Sequence, residues 1–168
     1  FLLLSAISLI IMAAALLLKN RLLVWFGASE AIFPYANDYI TIYLLGTIFA
    51  LLSIGMNQFI ICQGFAKVAM KSVMLGAVVN IVLDPVFIFG FDMGVKGGAL
   101  ATVISQMASA AFVLAFLFGK RVPIRITFGN YQWSIMRKVI FLGLSPFLFV
   151  AFDNVLGIAM KAPLPHYG

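Results

Sequence analysis

The sequence predicts an all-α protein, a polytopic bundle of transmembrane helices. Of its 168 residues, 64% are hydrophobic and only 10% are charged, and its mean hydropathy is +1.15. A soluble domain usually has about 25% charged residues and fewer than half apolar ones. The apolar residues also form runs close to the roughly 20 residues that a helix needs to cross a bilayer. A chain of this size could not bury so much apolar surface in water, so lipid is its expected solvent.

Five segments approach spanning length, and glycine and proline residues separate them, the first two being separated by Gly27 with Pro34. The first span is expected from Phe1 to about Leu18, with an extension to Phe26. The later spans are expected at about 39–62, 68–91, 98–118 and 139–160. A tight glycine-rich turn joins the third and fourth spans, which must therefore be antiparallel neighbours. The segment 131–138 is expected to form an interfacial helix that leads into the fifth span.

The basic residues predict the orientation. The net charge is +6, from 11 Lys and Arg against 5 Asp and Glu, and the segments 63–71 and 119–138 hold seven basic residues and no acidic one. Because basic residues concentrate in cytoplasmic loops, both segments are expected in the cytoplasm. Lys19 and Arg21, on the opposite side, are the exception. This distribution accounts for the positive charge without a nucleic-acid partner.

Several features argue for a fragment of a larger non-enzymatic protein. Phe1 opens directly into an apolar run, and 163–168 follows a break in the last helix, so truncation is expected. Cys62, the only cysteine, lies in an apolar stretch and is expected to be a small buried hydrophobe. His166 has no ligand partner nearby in the sequence. No metalloprotease, P-loop or nucleophile-elbow motif occurs, so no metal site and no catalytic residue is predicted.

Two carboxylates lie inside predicted spans, and the first of them has polar neighbours. An ionisable group in the hydrocarbon is costly unless it faces a cavity or a partner, so Asp84 is a functional-site hypothesis. Asn80 is one helical turn earlier on the same face, and Ser72 and Gly76 continue this strip. Pro85 supplies no N–H and should free a backbone carbonyl nearby. These oxygens suit Na⁺, and the carboxylate alone suits H⁺. The alternative is that Asn80 and Asp84 only make interhelical hydrogen bonds.

The fourth span offers a matching surface. Gly98, Thr102, Ser105 and Ser109 form a small, polar stripe that lets helix backbones approach closely. Thr102 is expected at a depth similar to that of Asp84, where its hydroxyl would complete the site. The alternative for Thr102 is a hydroxyl bonded to a carbonyl of its own helix.

Asp153 in the fifth span is the second carboxylate. It lies beside Asn154 and after Ser145 and Pro146, an arrangement like that of Asp84 and Pro85. It is a possible second cation site. A position near the outer membrane interface is the equally weighted alternative.

The run from Asn80 to Gln106, NIVLDPVFIFGFDMGVKGGALATVISQ, resembles the hallmark of the multidrug and toxic compound extrusion (MATE) family. Gln63 to Lys67 and Gly143 to Pro146 are also similar to that family. The resemblance implies a parent of twelve helices in two lobes. Residues 1–118 would be helices of the N-lobe, 119–138 a basic inter-lobe linker, and 139–168 the truncated first helix of the C-lobe.

The resemblance also implies site residues. In such relatives an N-lobe cation site uses an Asn, an Asp and a Thr that fall on Asn80, Asp84 and Thr102, with a further Asp on a helix that precedes Phe1. Some relatives bind the cation through an acidic residue of the seventh helix, which falls on Asp153. That residue is usually Glu, so Asp153 is a departure from the pattern.

The function that the resemblance implies is secondary active antiport. A monomeric parent in the cell membrane would export amphipathic or cationic drugs against inward H⁺ or Na⁺, without an organic cofactor. A lipid-linked oligosaccharide flippase of the same superfamily is one alternative. A cationic central cavity would favour it, whereas the charged residues expected inside the membrane here are all acidic. A membrane-embedded enzyme or a structural subunit is the alternative from another class.

Overall fold

The computed structural model describes residues 1–25, 29–30, 32–119, 122–124, 126 and 132–161, and side chains of the last range through Gly157. Its helices are α1 Leu2–Trp25, α2 Phe33–Leu45, α3 Thr47–Cys62, α4 Ala66–Pro85, α5 Val95–Phe118 and α6 Trp133–Lys161, with a π-helical turn at Val86–Gly90 between α4 and α5. The chain divides into two compact units, Phe1–Thr127 and Phe128–Gly168. The first contains α1–α5 and the second contains α6.

The described helices match the predicted all-α membrane fold. Four of them are long and apolar enough to cross a bilayer, and α2 and α3, bent by 47° at the break between them, are together long and apolar enough to be a fifth span. This second span begins at Phe33, not near residue 39 as predicted. Pro34, interpreted as a breaker, lies in the first turn of α2, where a helix needs no N–H donor and proline is favoured. The bend falls at Gly46, between the two helices.

Pro85 changes the helix type within the third span. It ends α4, and the next N–H, that of Val86, bonds to the carbonyl of Leu83. The following turn is wider, with the N–H of Phe91 donating to the carbonyl oxygen of Val86 at 3.0 Å. A proline has no N–H for the regular ladder, so the chain takes up a π-helical turn there.

α5 is the centre of the first unit, in contact with α2, α3, α4 and the π-helical turn. Small residues make this close packing possible. A Cβ on Gly97 would lie 2.7 Å from the carbonyl carbon of Phe87 and 3.0 Å from the backbone nitrogen of Ile88. The glycine-rich turn therefore brings α5 back directly against the end of the third span, as predicted for antiparallel neighbours.

An apolar core closes one end of this unit. It consists of the buried side chains of Met56, Ile60, Ala69, Val113, Leu117 and Val122. Beside it, the ring of Phe65 meets that of Phe116 edge-on with centroids 5.5 Å apart. The backbone N–H of Ile124 donates to Gln63 Oε1 at 3.1 Å. The segments that follow α3 and α5 therefore lie at the same end, as the basic residues predict. Lys120, Arg121 and Arg125 are outside the described residues.

Two polar contacts join helices at the opposite end. Lys96 Nζ lies 3.0 Å from Asp38 Oδ2, with both side chains about half exposed. Lys19 Nζ donates to Thr41 Oγ1 at 2.7 Å and is partly buried. Lys19 is thus held between α1 and α2, which explains how a basic residue is accommodated on this side.

Two expectations need correction. Cys62 is exposed, not buried, because Met56 and Ile60 turn the other face of α3 to the core; in lipid, a small apolar thiol needs no protein cover. The interfacial helix expected at 131–138 is not a separate element, since α6 runs unbroken from Trp133 to Lys161. Tyr131 and the residues 162–168, with His166, lie outside the described residues.

Candidate functional site

Asn80 and Asp84 lie side by side near the end of α4. Asn80 Nδ2 donates to Asp84 Oδ1 at 3.4 Å, and both side chains are partly buried. The helical spacing of four residues puts them on one face, as the sequence predicts. The carboxylate is followed at once by Pro85 and the π-helical turn, where the regular backbone hydrogen bonding changes.

Thr102 makes its hydrogen bond within its own helix. Its hydroxyl donates to the carbonyl oxygen of Gly98 at 2.9 Å, the arrangement given above as the alternative for this residue. Among the described residues, no hydrogen bond joins Thr102 to Asp84 or Asn80. Since a hydroxyl has one proton and two lone pairs, the Thr102 oxygen keeps acceptor capacity for a cation.

A cleft of about 310 Å³ opens between α3, α4 and α5. Its lining residues are Ala50, Ser53, Ile54, Val73, Gly76, Ala77, Asn80, Ser105, Gln106 and Ser109. Asn80 is therefore the predicted site residue that connects the carboxylate to this cleft. Gln106 was missed as a site residue by the sequence analysis. A signal existed, because Gln106 is a polar residue in an apolar span and lies one helical turn after Thr102.

A buried polar network fixes the three helices around the cleft. Ser72 Oγ lies 3.1 Å from Asn57 Oδ1 and 2.9 Å from the Ala69 carbonyl oxygen, and it donates its single proton to one of these two acceptors. Asn57 Nδ2 donates to that same carbonyl at 3.4 Å, and Ser109 Oγ donates to the Ser72 carbonyl at 2.9 Å. These bonds satisfy polar groups that would be costly if unpaired away from water.

Asp153 lies in the second unit, on α6, with an exposed side chain. Its neighbour Asn154 donates through Nδ2 to the carbonyl oxygen of Val150, one turn earlier, at 2.7 Å. The Asn154 amide is thus used within its own helix. The second site suggested by Asp153 stays a prediction.

Comparisons with known proteins agree with this architecture. A family model described as MatE matches residues 1–86. The multidrug export protein MepA of Staphylococcus aureus (strain bovine RF122 / ET3-1) is 27% identical over 165 residues, which make up 97% of this chain and 37% of MepA. The chain thus spans little more than a third of the length of the curated relatives it matches.

Solved structures of transporters share the fold. A crystal structure of MATE in the bent conformation is 29% identical with a TM-score of 0.80, over 85% of this chain and 33% of that one. A MOP superfamily transporter from Pyrococcus furiosus Vc1 (DSM3638), in which reverse polarity of the binding pocket suggests a different function, is 29% identical with a TM-score of 0.78, over 85% of this chain and 32% of that one.

The family model covers just over half of the chain, and its match ends just after α4, the helix that carries Asn80 and Asp84. The relatives by sequence and the relatives by structure are membrane transporters. This chain is a multi-pass membrane protein and belongs to the MatE family, that of the multidrug and toxic compound extrusion transporters.

Proposed function

We propose that the full-length protein containing this chain exports amphipathic, cationic compounds in exchange for inward H⁺ or Na⁺, with Asp84 as the group that takes up the coupling ion. The observation that supports this most directly is the pairing of Asp84 with Asn80 at 3.4 Å within a membrane span. A lone carboxylate at that depth is costly unless a cation or a proton neutralises it.

The chemistry of the donors fits a hard monovalent cation. Asn80 donates an N–H to Asp84, so the side-chain carbonyl oxygen of Asn80 stays available to bind a cation. The Thr102 hydroxyl donates its proton to the carbonyl oxygen of Gly98, and its oxygen lone pairs also stay available. A carboxylate with an amide oxygen and a hydroxyl oxygen is a ligand set typical of hard cations, which prefer oxygen. Protonation of Asp84 alone would serve an H⁺-coupled cycle.

Exchange requires that the two ligands favour different states. If the ion and the exported compound bind preferentially to opposite-facing conformations, each shifts the population toward the state that releases the other. MepA, a multidrug export protein, is similar to this chain over 97% of this chain's length and 37% of its own. We propose multidrug export as the activity of the full-length protein that contains this chain.

The flippase alternative has less support. It calls for a basic cavity, and the described residues that line the cleft between α3, α4 and α5 are neutral. The carboxylate of Asp84 is hydrogen-bonded to Asn80, which lines the cleft, and its negative charge would attract cations there.

The test of the proposed function is ion-driven transport by the full-length protein in vesicles. A cationic dye should move outward when an inward gradient of Na⁺ or of H⁺ is applied, and should not move when the gradient is collapsed by an ionophore. Dye movement that is indifferent to both gradients would contradict antiport. Accumulation of a lipid-linked sugar in place of the dye would favour the flippase.

A further inference from the structure

The turn between α3 and α4 has a backbone that is fixed by hydrogen bonds. The N–H of Phe65 donates to the carbonyl oxygen of Ile60 at 3.1 Å, and the N–H of Gly64 donates to that of Ile61 at 2.9 Å. This pair of bonds is the Schellman arrangement, which needs a left-handed residue after the helix cap, and Gly64 supplies it with a φ of 86°. Gln63 is the cap residue of α3 in this turn. Its side chain therefore extends from a well-defined position.

The segment that follows α5 returns to this turn. α5 ends at Phe118, and the backbone of Gly119 is extended. The N–H of Ile124 then donates to Gln63 Oε1 at 3.1 Å, a bond between positions 61 residues apart. The side chain of Gln63 thus connects the turn after α3 to the chain that leaves α5.

Apolar contacts hold the same segment on either side of this bond. The side chain of Val122 is only 4% exposed and belongs to the apolar core that Met56 and Ile60 help to form. Ile126 packs against that core. The first compact unit accordingly extends past the end of α5 to Thr127. Burial of Val122 and Ile126 contributes more than the exposed hydrogen bond of Ile124, which fixes the position of the backbone between them.

We propose that Gln63 and the apolar core keep Val122, Ile124 and Ile126 on the first unit throughout the transport cycle, so that movement between the two lobes of the full-length protein is taken up C-terminal to Ile126. If this segment left the unit in one state, Val122 would be exposed and the Gln63 bond lost. Binding of the ion or the exported compound would then have to offset that cost in every cycle. The inference rests on the proposed function and adds Gln63 to it as a positioning residue.

The first experiment cross-links the two hydrogen-bonded positions in the full-length protein. Gln63→Cys and Ile124→Cys are combined in a background without other cysteines, and a short, reducible thiol cross-linker is added. We expect the same yield of cross-linked protein with and without Na⁺, at low and high pH, and with and without a cationic dye. A yield that depends on the ion or the dye, or no cross-link at all, would overturn the proposal.

Transport by the cross-linked protein is the second readout. Because the two positions stay adjacent in every state, ion-driven dye export should proceed at the same rate before and after cross-linking. The two single-cysteine variants, treated with the same reagent, control for modification alone. Export that stops on cross-linking and returns when the cross-linker is reduced would show that this segment must leave the first unit.

Hydrogen exchange tests the part played by Gln63. Gln63→Leu removes the acceptor oxygen, so amide exchange in peptides that contain Ile124 should accelerate about fivefold, the effect of losing one ordinary hydrogen bond. Gln63→Glu keeps an acceptor and should exchange like the wild type. Gln58→Leu, at an exposed position of the same helix, is the matched control and should change nothing at Ile124. Unchanged exchange at Ile124 in Gln63→Leu, or faster exchange throughout α3 and α5, would remove the positioning role.

These results separate the inference from the proposed function. Cross-linking yields and exchange rates are measured without transport, so they decide the anchoring even if no ion gradient drives export. Constant yields without ion-driven export would contradict antiport and leave the anchoring supported. Ion-driven export with a yield that depends on the ion would support antiport and overturn the anchoring.

Discussion

Ser109 on α5 donates a hydrogen bond of 2.9 Å to the carbonyl oxygen of Ser72 on α4. Gly76 makes this approach possible, because a Cβ at that position would overlap the Ser109 hydroxyl. Both Gly76 and Ser109 also line the cleft between α3, α4 and α5. The contact that holds α4 against α5 is thus the one that shapes the candidate binding region.

A methyl group at Gly76 should destabilise the protein. We expect Gly76→Ala to lower the free energy of unfolding by about 1–3 kcal/mol, the usual cost of overpacking. This is opposite to the gain of about 1 kcal/mol that alanine gives over glycine in a helix interior. The measurement is thermal melting of the full-length protein in detergent, where Gly76→Ala should melt several degrees lower.

Two further variants control for this interpretation. Gly98→Ala, where the nearest atom to the new Cβ is Ile88 Cδ1 at 3.8 Å, should melt at or above the wild-type temperature. Ser109→Ala combined with Gly76→Ala removes the overlapping hydroxyl and should recover part of the loss. A Gly76→Ala protein as stable as Gly98→Ala would show that the close approach of α4 and α5 is wrong.

The second prediction concerns the side of the membrane on which the ends of the first unit lie. Gln63 and Ile124 are bonded at one end, and Glu30 precedes α2 at the other. With Cys62 replaced by serine, single cysteines at the exposed positions of Lys67 and Ile124 should react only with a thiol reagent that enters the cell. A cysteine at Glu30 should react with an impermeant reagent from outside. The reverse pattern would overturn the predicted orientation.

The sequence predicted most of this fold because lipid makes the signal strong. Apolar runs of spanning length and the glycine-rich turn before α5 predicted the helices and their antiparallel pairing. The pairing of Asn80 with Asp84 followed from spacing alone, since residues four apart share a helix face. Local rules of this kind need no knowledge of distant contacts.

Other features depended on contacts between helices, which spacing does not give. The start of the second span was placed too late because a proline such as Pro34 can either end a helix or begin one. The exposure of Cys62 depends on which face of α3 meets the core. Gln106 became notable only when its oxygen was found buried without a donor, and this required the positions of α3 and α4 around it.

The third prediction tests whether Thr102 belongs to the ion site. Its hydrogen bond to Gly98 is local to α5, so Thr102→Ala should change the melting temperature little. Because the substitution removes an oxygen ligand, however, it should raise the Na⁺ concentration for half-maximal dye export about tenfold, equivalent to about 1.4 kcal/mol. Thr102→Ser keeps the hydroxyl and should stay near wild type. An unchanged Na⁺ dependence in Thr102→Ala would remove Thr102 from the site and leave Asn80 and Asp84.

The central claim is that Asp84 takes up the coupling ion, and its most direct test is ion-driven dye export by Asp84→Asn in vesicles. Asparagine keeps the size and a hydrogen bond to Asn80 but removes the charge. Losing a charged ligand in a low-dielectric site should cost a few kcal/mol of ion affinity, and each 1.4 kcal/mol is a factor of about ten. We therefore expect coupled export to fall about a hundredfold or more while the melting temperature is maintained, and Asp153→Asn to retain more activity. Export at the wild-type rate by a folded Asp84→Asn protein would contradict the claim and make Asp153 the leading candidate.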